Sequence, residues 1–163
     1  MASATIRAAR VSDAGEITQL TTQLGYDVTE ADCAHRLSRI LLRDDQQLFV
    51  ADVDGRAVGW LHAVVAQYVD AEAFVVIGGL VVDRNQRRRR VGRALLARAE
   101  AWARERRCSI VRLSSSATRN EAHRFYESLG YMNIKTQYSF IKPLDLVAAA
   151  RVWTFVPRVD PAD

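Results

Sequence analysis

A chain of 163 residues, 49% of them hydrophobic, is enough for one domain with its own core and needs no second. It has no apolar stretch of about 18 residues and no charged-then-apolar start, so neither a membrane span nor a secretory signal is indicated and a soluble cytoplasmic protein is the expectation. Cys33 and Cys108 are too few and too far apart for a disulfide framework and lie in no metal-ligand spacing, so no metal is expected and both read as core or helix cysteines.

Residues 4–9 alternate enough for a short first strand. Ser12 and Asp13 then supply a helix cap ahead of Ile17, Leu20 and Leu24, and Gly25 ends that helix. A second helix is expected from Thr29, with Asp32 in its first turn and Leu37, Ile40 and Leu41 on one face. Residues 48–53 and 56–66 read as two strands around Asp54-Gly55, a pair suited to the positive φ of a tight hairpin.

Residues 74–82 form an apolar run rich in branched side chains and read as a central buried strand. Gly78-Gly79 sits inside it, which marks a bulge or a place where a ligand lies against the backbone. After Leu80, Val81 and Val82, the segment Asp83-Arg84-Asn85-Gln86 breaks the strand, Arg87, Arg88, Arg89 and Arg90 follow, and a helix opens on Val91, Gly92, Arg93 and Ala94. A helix start presents unpaired N–H groups and a partial positive charge, and the arginines add forked donors for phosphate oxygens. Gly92 has no Cβ to keep a bulky anion from the backbone. The segment reads as a pyrophosphate cradle, against the alternative of a solvated charged turn.

The net charge of +4 is concentrated here: Arg84, Arg87, Arg88, Arg89, Arg90, Arg93, Arg98, Arg104, Arg106 and Arg107 fall on this loop and its helix, while lysine occurs only at Lys135 and Lys142. A nucleic-acid surface would spread its basic residues along a groove with aromatics between them, so one compact cluster fits a small polyphosphate better.

The helix over residues 91–106 places Leu95, Leu96, Ala99 and Trp102 inward, and residues 109–115 read as the next strand. Thr118-Arg119-Asn120-Glu121 has the form of a capping box and launches a helix with Ala122, Phe125, Tyr126 and Leu129 inward, closed by Gly130. Residues 131–141 are expected to finish the sheet, with a break into two strands near Lys135. Residues 145–163 are expected as a C-terminal extension, and 144–153 can make a short amphipathic helix, against the alternative of a disordered tail; Trp153 and Phe155 would be exposed unless a dimer partner or the substrate cleft covers them.

The basic segment resembles the acyl-CoA signature of the Gcn5-related N-acetyltransferase (GNAT) superfamily, Gln/Arg-x-x-Gly-x-Gly/Ala. Arg87 stands first and Gly92 last with Arg90 in place of the first glycine, and the overlapping register Arg89-x-x-Gly92-x-Ala94 fits throughout. Asn120-Glu121-Ala122 followed by Phe125-Tyr126-Glu127 and Gly130-Tyr131 resembles the second motif of the same superfamily. The resemblance spans about residues 4–144 and implies an α/β (α+β) domain over 1–144, with a central, mostly antiparallel sheet splayed at the cofactor site and flanked by helices. It also implies acetyl-CoA as co-substrate. The main chain of Leu80, Val81 and Val82 would hold the pantetheine arm, residues 87–94 the diphosphate, Asn120 the arm as well, and Tyr126 would act as general acid.

Acyl transfer from a thioester to an amine needs a neutral amine, a polarised carbonyl and a proton for the thiolate. An alkylamine is neutral in only about one part in a thousand at pH 7, so a base or water chain must take its proton. The strand glutamate common in similar sequences is absent, its place held by Val75-Val76-Ile77. His62, Tyr68, Asp70 and Glu72 are candidates, each of which alone also reads as an ordinary polar residue, and His123 is expected to face outward or to line the cofactor edge. The implied activity is direct acetyl transfer in a ternary complex to a primary amine of a small molecule or peptide. Asp27, Glu30, Asp70 and Glu72 would suit a cationic acceptor such as an aminoglycoside or polyamine. A CoA-binding sensor without turnover and a nucleic-acid-binding module are the alternatives.

Overall fold

The computed structural model describes residues 4–151. Five strands lie in the spatial order in which the chain makes them: β1 (Thr5–Ala8), β2 (Gln46–Val53), β3 (Arg56–Tyr68), β4 (Ala71–Val82) and β5 (Val111–Leu113). All neighbours pair antiparallel except β4 and β5, which run parallel. That change of direction requires a crossover, supplied by α3 (Val91–Glu105). The sheet is thus mostly antiparallel, as the resemblance implied.

Alternation along the strands feeds two cores. Phe49, Ala51, Leu61, Ala63, Val75 and Ile77 face α3, whose Val91, Leu95, Leu96, Ala99, Trp102 and Ala103 recur at helical spacing. Leu48, Val50, Trp60 and Val81 face α1 (Ala14–Gln23) and α2 (Glu30–Ile40), which contribute Ala14, Ile17, Leu20, Cys33 and Leu37. The Thr29 hydroxyl caps α2 by accepting the Asp32 N–H at 3.1 Å. Asp54 and Gly55 both have positive φ, 52° and 83°, and close the β2–β3 hairpin as a type I′ turn.

Three sequence expectations need correction, and one residue gains a second reason. Residues 131–141 are not a strand: Met132, Ile134, Tyr138 and Phe140 are exposed, and β5 is the last strand of the sheet. Period-two alternation says which side chains would share a face, but whether a segment pairs with another strand is a non-local property that alternation does not carry. The strand expected over 109–115 contracts to Val111–Leu113, the only residues registered against β4. The capping box at Thr118 does not form. Arg119 is the N-cap of α4 (Asn120–Ser128) without a side-chain cap, and the Thr118 hydroxyl instead bonds to that of Ser116 at 3.1 Å. Gly92 is explained by packing as well as by access, since a Cβ there would stand 3.2 Å from Phe125 Cζ. The expected tail helix is present as α5 (Leu146–Arg151), whereas Trp153 and Phe155 lie outside the described residues.

Candidate active site

The site is built where β4 leaves β5. The two strands are in register only at Val75–Val111, Val76–Arg112 and Ile77–Leu113. On the other side of β4 the register with β3 slips between His62 and Ala63, so that Gly78 is the extra residue. Beyond it Leu80, Val81 and Val82 keep their β3 partners Leu61, Trp60 and Gly59 and have none on β5. The Asp83 N–H is bonded to Val58 O at 2.9 Å, so strand alternation turns the peptide groups of Leu80 and Val82 away from β3, into the opening.

Both glycines have local reasons. A Cβ on Gly79 would sit 2.7 Å from the ring of Trp60, so only glycine lets that indole lie across the strand. A Cβ on Gly78 would meet only His62, 3.7 Å from Nδ1. Two buried side-chain polar atoms among the described residues have no hydrogen-bond partner, Trp60 Nε1 and Ser115 Oγ, the latter just past the end of β5. Buried polar atoms are rarely orphaned, and an unpartnered Ser115 hydroxyl at the end of β5 fits a polar ligand strand. Neither residue was singled out from sequence; the only signal was the run Ser114-Ser115-Ser116 after an apolar segment.

The lower end of the opening runs into the arginine bend. Asp83 Oδ1 accepts the Asn85 N–H at 2.8 Å, and Gln23 of α1 holds the Arg84 N–H at 3.2 Å. Arg88 and Arg90 each adopt the left-handed region at φ 63°, where side-chain-bearing residues are uncommon and strained. Arg90 occupies the motif's first glycine position, so the bend keeps the glycine-like backbone there with a charged side chain attached. It is also the N-cap of α3 and has no side-chain cap. Ala94 N–H reaches Arg90 O at 3.0 Å, which leaves the amides of Val91, Gly92 and Arg93 as the open donors of the first turn. Arg87, Arg88, Arg90 and Arg93 are exposed and form no ion pair among the described residues, while Arg89 bonds only to Gln86 Oε1 at 3.1 Å. Three arginines elsewhere are stacked: Arg98, Arg106 and Arg112 lie over the rings of Phe49, Trp102 and Phe74 at 4.8, 5.4 and 4.7 Å. Four consecutive arginines and Arg93 thus place a dense cluster of positive charge at the bend. Amide donors, forked cations and an unpaired strand edge fit the diphosphate and amide groups of a CoA arm.

Helix α4 closes the opposite wall. Phe125 meets Gly92 across the two helix starts, and Tyr126 packs on the α3-side core together with Leu80, Val82 and Leu113. Burial raises the pKa of the Tyr126 phenol, with the charge of Arg119 opposing it, so the hydroxyl stays protonated. The phenol of Tyr131 is raised further, by burial and by its 3.0 Å hydrogen bond to Glu100. Asn120 opens α4 at the surface. His123 is half-buried and its Nε2 is tied to Ser116 O at 2.9 Å, which makes it a clamp on the loop after β5. Of the four residues considered as base, only His62 comes to the opening. Tyr68, Asp70 and Glu72 belong to the β3–β4 hairpin: Glu72 is six positions along β4 from Gly78 and Tyr68 stands opposite Ala71, seven positions away, or about 20 Å or more. Cys33 and Cys108 are buried in opposite cores, and no cluster of metal-binding side chains occurs among the described residues.

A five-stranded sheet that parts between its parallel pair, beside a basic turn and a helix start, is the N-acetyltransferase fold. Solved structures superpose closely on it. The aminoglycoside acetyltransferase AAC(6')-Iy in complex with CoA matches with TM-score 0.79 at 22% identity, over 87% of this chain and 96% of that one. AAC(6')-Ig from Acinetobacter haemolyticus matches with TM-score 0.75 at 22% identity, over 86% and 99%. A transcriptional regulator from Bacillus halodurans C-125 matches with TM-score 0.76 at 23% identity, over 85% and 99%. At these identities the likeness establishes the fold. A search of the curated proteins returned no match. The model of the acetyltransferase (GNAT) family matches residues 15–131, and the chain belongs to that family.

Proposed function

We propose that this protein transfers the acetyl group of acetyl-CoA to the primary amine of a small cationic molecule by direct attack in a ternary complex. The observation that carries the reading is the continuity of one surface: the β4 edge unpaired from Gly78 onward leads into a left-handed arginine bend at the start of a 15-residue helix. Acetyl-CoA supplies an acyl group already activated as a thioester. Leu80 and Val82 offer peptide groups to the pantetheine arm, with Val81 between them seated in the core. Arg87, Arg88, Arg89, Arg90 and Arg93 surround the diphosphate, with the amides of Val91, Gly92 and Arg93 beneath it and Ala94 closing the first turn. Asn120 borders the arm from α4. An N–H of β4 next to Gly78 steadies charge on the carbonyl oxygen, and Tyr126 gives its proton to the departing sulfur. Several structural relatives acetylate aminoglycosides, and one was solved with a CoA–acetylneamine analogue. A polyamine-like acceptor extends that reading to this chain, with Asp27 and Glu30 at the α1–α2 connection available to attract it.

The reading includes a homodimer. Met132, Ile134, Tyr138, Phe140, Leu144 and Leu146 are exposed along one segment, and β5 is an edge strand with three registered residues. A second copy is the partner that offers both a matching edge and a matching apolar segment.

The test is an amine panel with a free-thiol readout, run on the protein and on Tyr126→Phe. Acetyl-CoA is expected to raise the melting temperature of both, with turnover of at least one di- or polyamine by the wild type and a loss of about 10²-fold in kcat in the variant. No stabilisation by acetyl-CoA and no thiol release from any amine would refute the proposal. Unchanged kcat in Tyr126→Phe would remove the tyrosine alone.

A further inference from the structure

The acetyltransferase reading leaves the amine's proton without an acceptor, because the central strand carries Val75, Val76 and Ile77 where a carboxylate could have stood. Resting on that reading, we infer that His62 is the general base of this protein, with Nδ1 the accepting atom and Gln46 the residue that sets its tautomer.

The geometry is specific. His62 lies on β3 opposite Gly79, at the slip in register that produces the bulge. Its Nε2 is 2.9 Å from Oε1 of Gln46 on β2. A carbonyl oxygen can only accept, so Nε2 carries the proton and Nδ1 keeps its lone pair. Nδ1 is the atom nearest to where a side chain on Gly78 would begin, at 3.7 Å, at the point where β4 parts from β5. Glycine there leaves the space in front of Nδ1 open, and Gly78 is exposed although its neighbour Ile77 is buried. Tyr126 reaches the opening from the α3 side, whereas His62 shares the α1–α2 face with Trp60, so acid and base stand on opposite sides of one strand.

The charged groups on the surrounding elements do not compete for the proton. Arg36 and Arg39 of α2 and Arg43 line a surface depression with Gln46, on the Nε2 side of the ring, and Arg43 is paired to Asp45 at 2.6 Å. On β4 the nearest titratable side chain is Glu72, near the distant hairpin. Burial lowers the pKa of the imidazole from its ordinary 6.5, which keeps it neutral and able to accept at pH 7.

The step balances without another reactant. Nδ1 takes one proton from the acceptor ammonium, and the freed nitrogen bonds to the thioester carbonyl carbon. As the carbon–sulfur bond breaks, the Tyr126 hydroxyl protonates sulfur, and the second proton from nitrogen restores the phenol through water. The imidazolium proton leaves to solvent.

His62→Gln is expected to lower kcat/KM for any accepted amine about 10²-fold while the acetyl-CoA melting shift is retained. In the wild type kcat/KM should rise with pH through a midpoint below 6.5, and the variant should lose that limb. Added imidazole should restore turnover to His62→Ala, which a merely structural histidine would not show. Wild-type turnover that survives His62→Gln with its acidic limb intact overturns this inference alone; absence of wild-type turnover sinks the acetyltransferase reading with it. Nitrogen-15 spectra of the wild-type imidazole give a check that needs no variant to fold. A proton on Nδ1 at pH 7.5 overturns the assignment, and a proton on Nε2 supports it.

Discussion

Arg7 is the residue on which the first strand depends. Its guanidinium holds both carboxylate oxygens of Asp13 at 2.8 Å and, through Nε, Asp52 Oδ2 at 2.8 Å, joining β1 to the turn before α1 and to β2. Asp13 is only 8% exposed. Burial alone would push its carboxyl up, but the Arg7 bonds, the Arg10 amide at 2.7 Å and the nearby positive charge outweigh that and hold it below the usual range. The Arg7 bond lowers Asp52 as well. Two carboxyls depressed in the folded state contribute stability that is complete above their unfolded pKa values near 4 and is lost as pH falls through the folded ones. Arg7→Ala should cost about 2–4 kcal/mol at pH 7 by stranding a buried carboxylate. In urea melts the gap from wild type should narrow at pH 3, where Asp13 no longer needs a partner; an equal gap at both pH values would refute this.

At the scale of elements, the arginine bend and the start of α3 act as one unit. Left-handed backbone at Arg88 and Arg90 points successive amides to one side, and the uncapped helix start adds three more. Four exposed guanidinium groups without ion-pair partners concentrate positive charge there at some cost to the free protein. Replacing Arg87, Arg88, Arg89 and Arg90 with glutamine should weaken acetyl-CoA binding at least about tenfold and flatten its salt dependence, while the melting temperature without ligand holds or rises. Calorimetric titration in low and high salt decides this. Unchanged affinity would mean that the backbone amides suffice, and RNA affinity that vanished with the arginines would favour the nucleic-acid alternative.

For the whole molecule, the consequence lies after Gly130. Full burial of a large apolar side chain is worth about 1.5–3 kcal/mol, so the exposed residues from Met132 to Leu146 represent a sizeable gain on association. Light scattering at tens of micromolar should give a dimer, and Tyr138→Lys with Phe140→Lys should give a monomer that still binds acetyl-CoA. A monomeric wild type would refute the dimer and leave the chemistry untouched. No helix among the described residues is long and apolar enough to cross a membrane.

The amino-acid sequence by itself determined the local elements and set the basic segment proposed to hold the cofactor beside a helix start, because both rest on short-range physics. Hydrophobic spacing marked α3, Asp54-Gly55 marked the type I′ turn, and Arg87 to Gly92 placed cations next to a helix start. Only the tertiary structure decided what depends on pairing between distant residues. Residues 131–141 were expected as a strand but pair with none, Thr118 looked like a cap but bonded to Ser116, and Gly92 also seats Phe125. The candidate base was decided the same way. Among four polar residues of similar promise, strand register set His62 against Gly79 and sent Asp70 and Glu72 to the hairpin, because facing across a sheet depends on register and bulges that one strand's sequence does not contain.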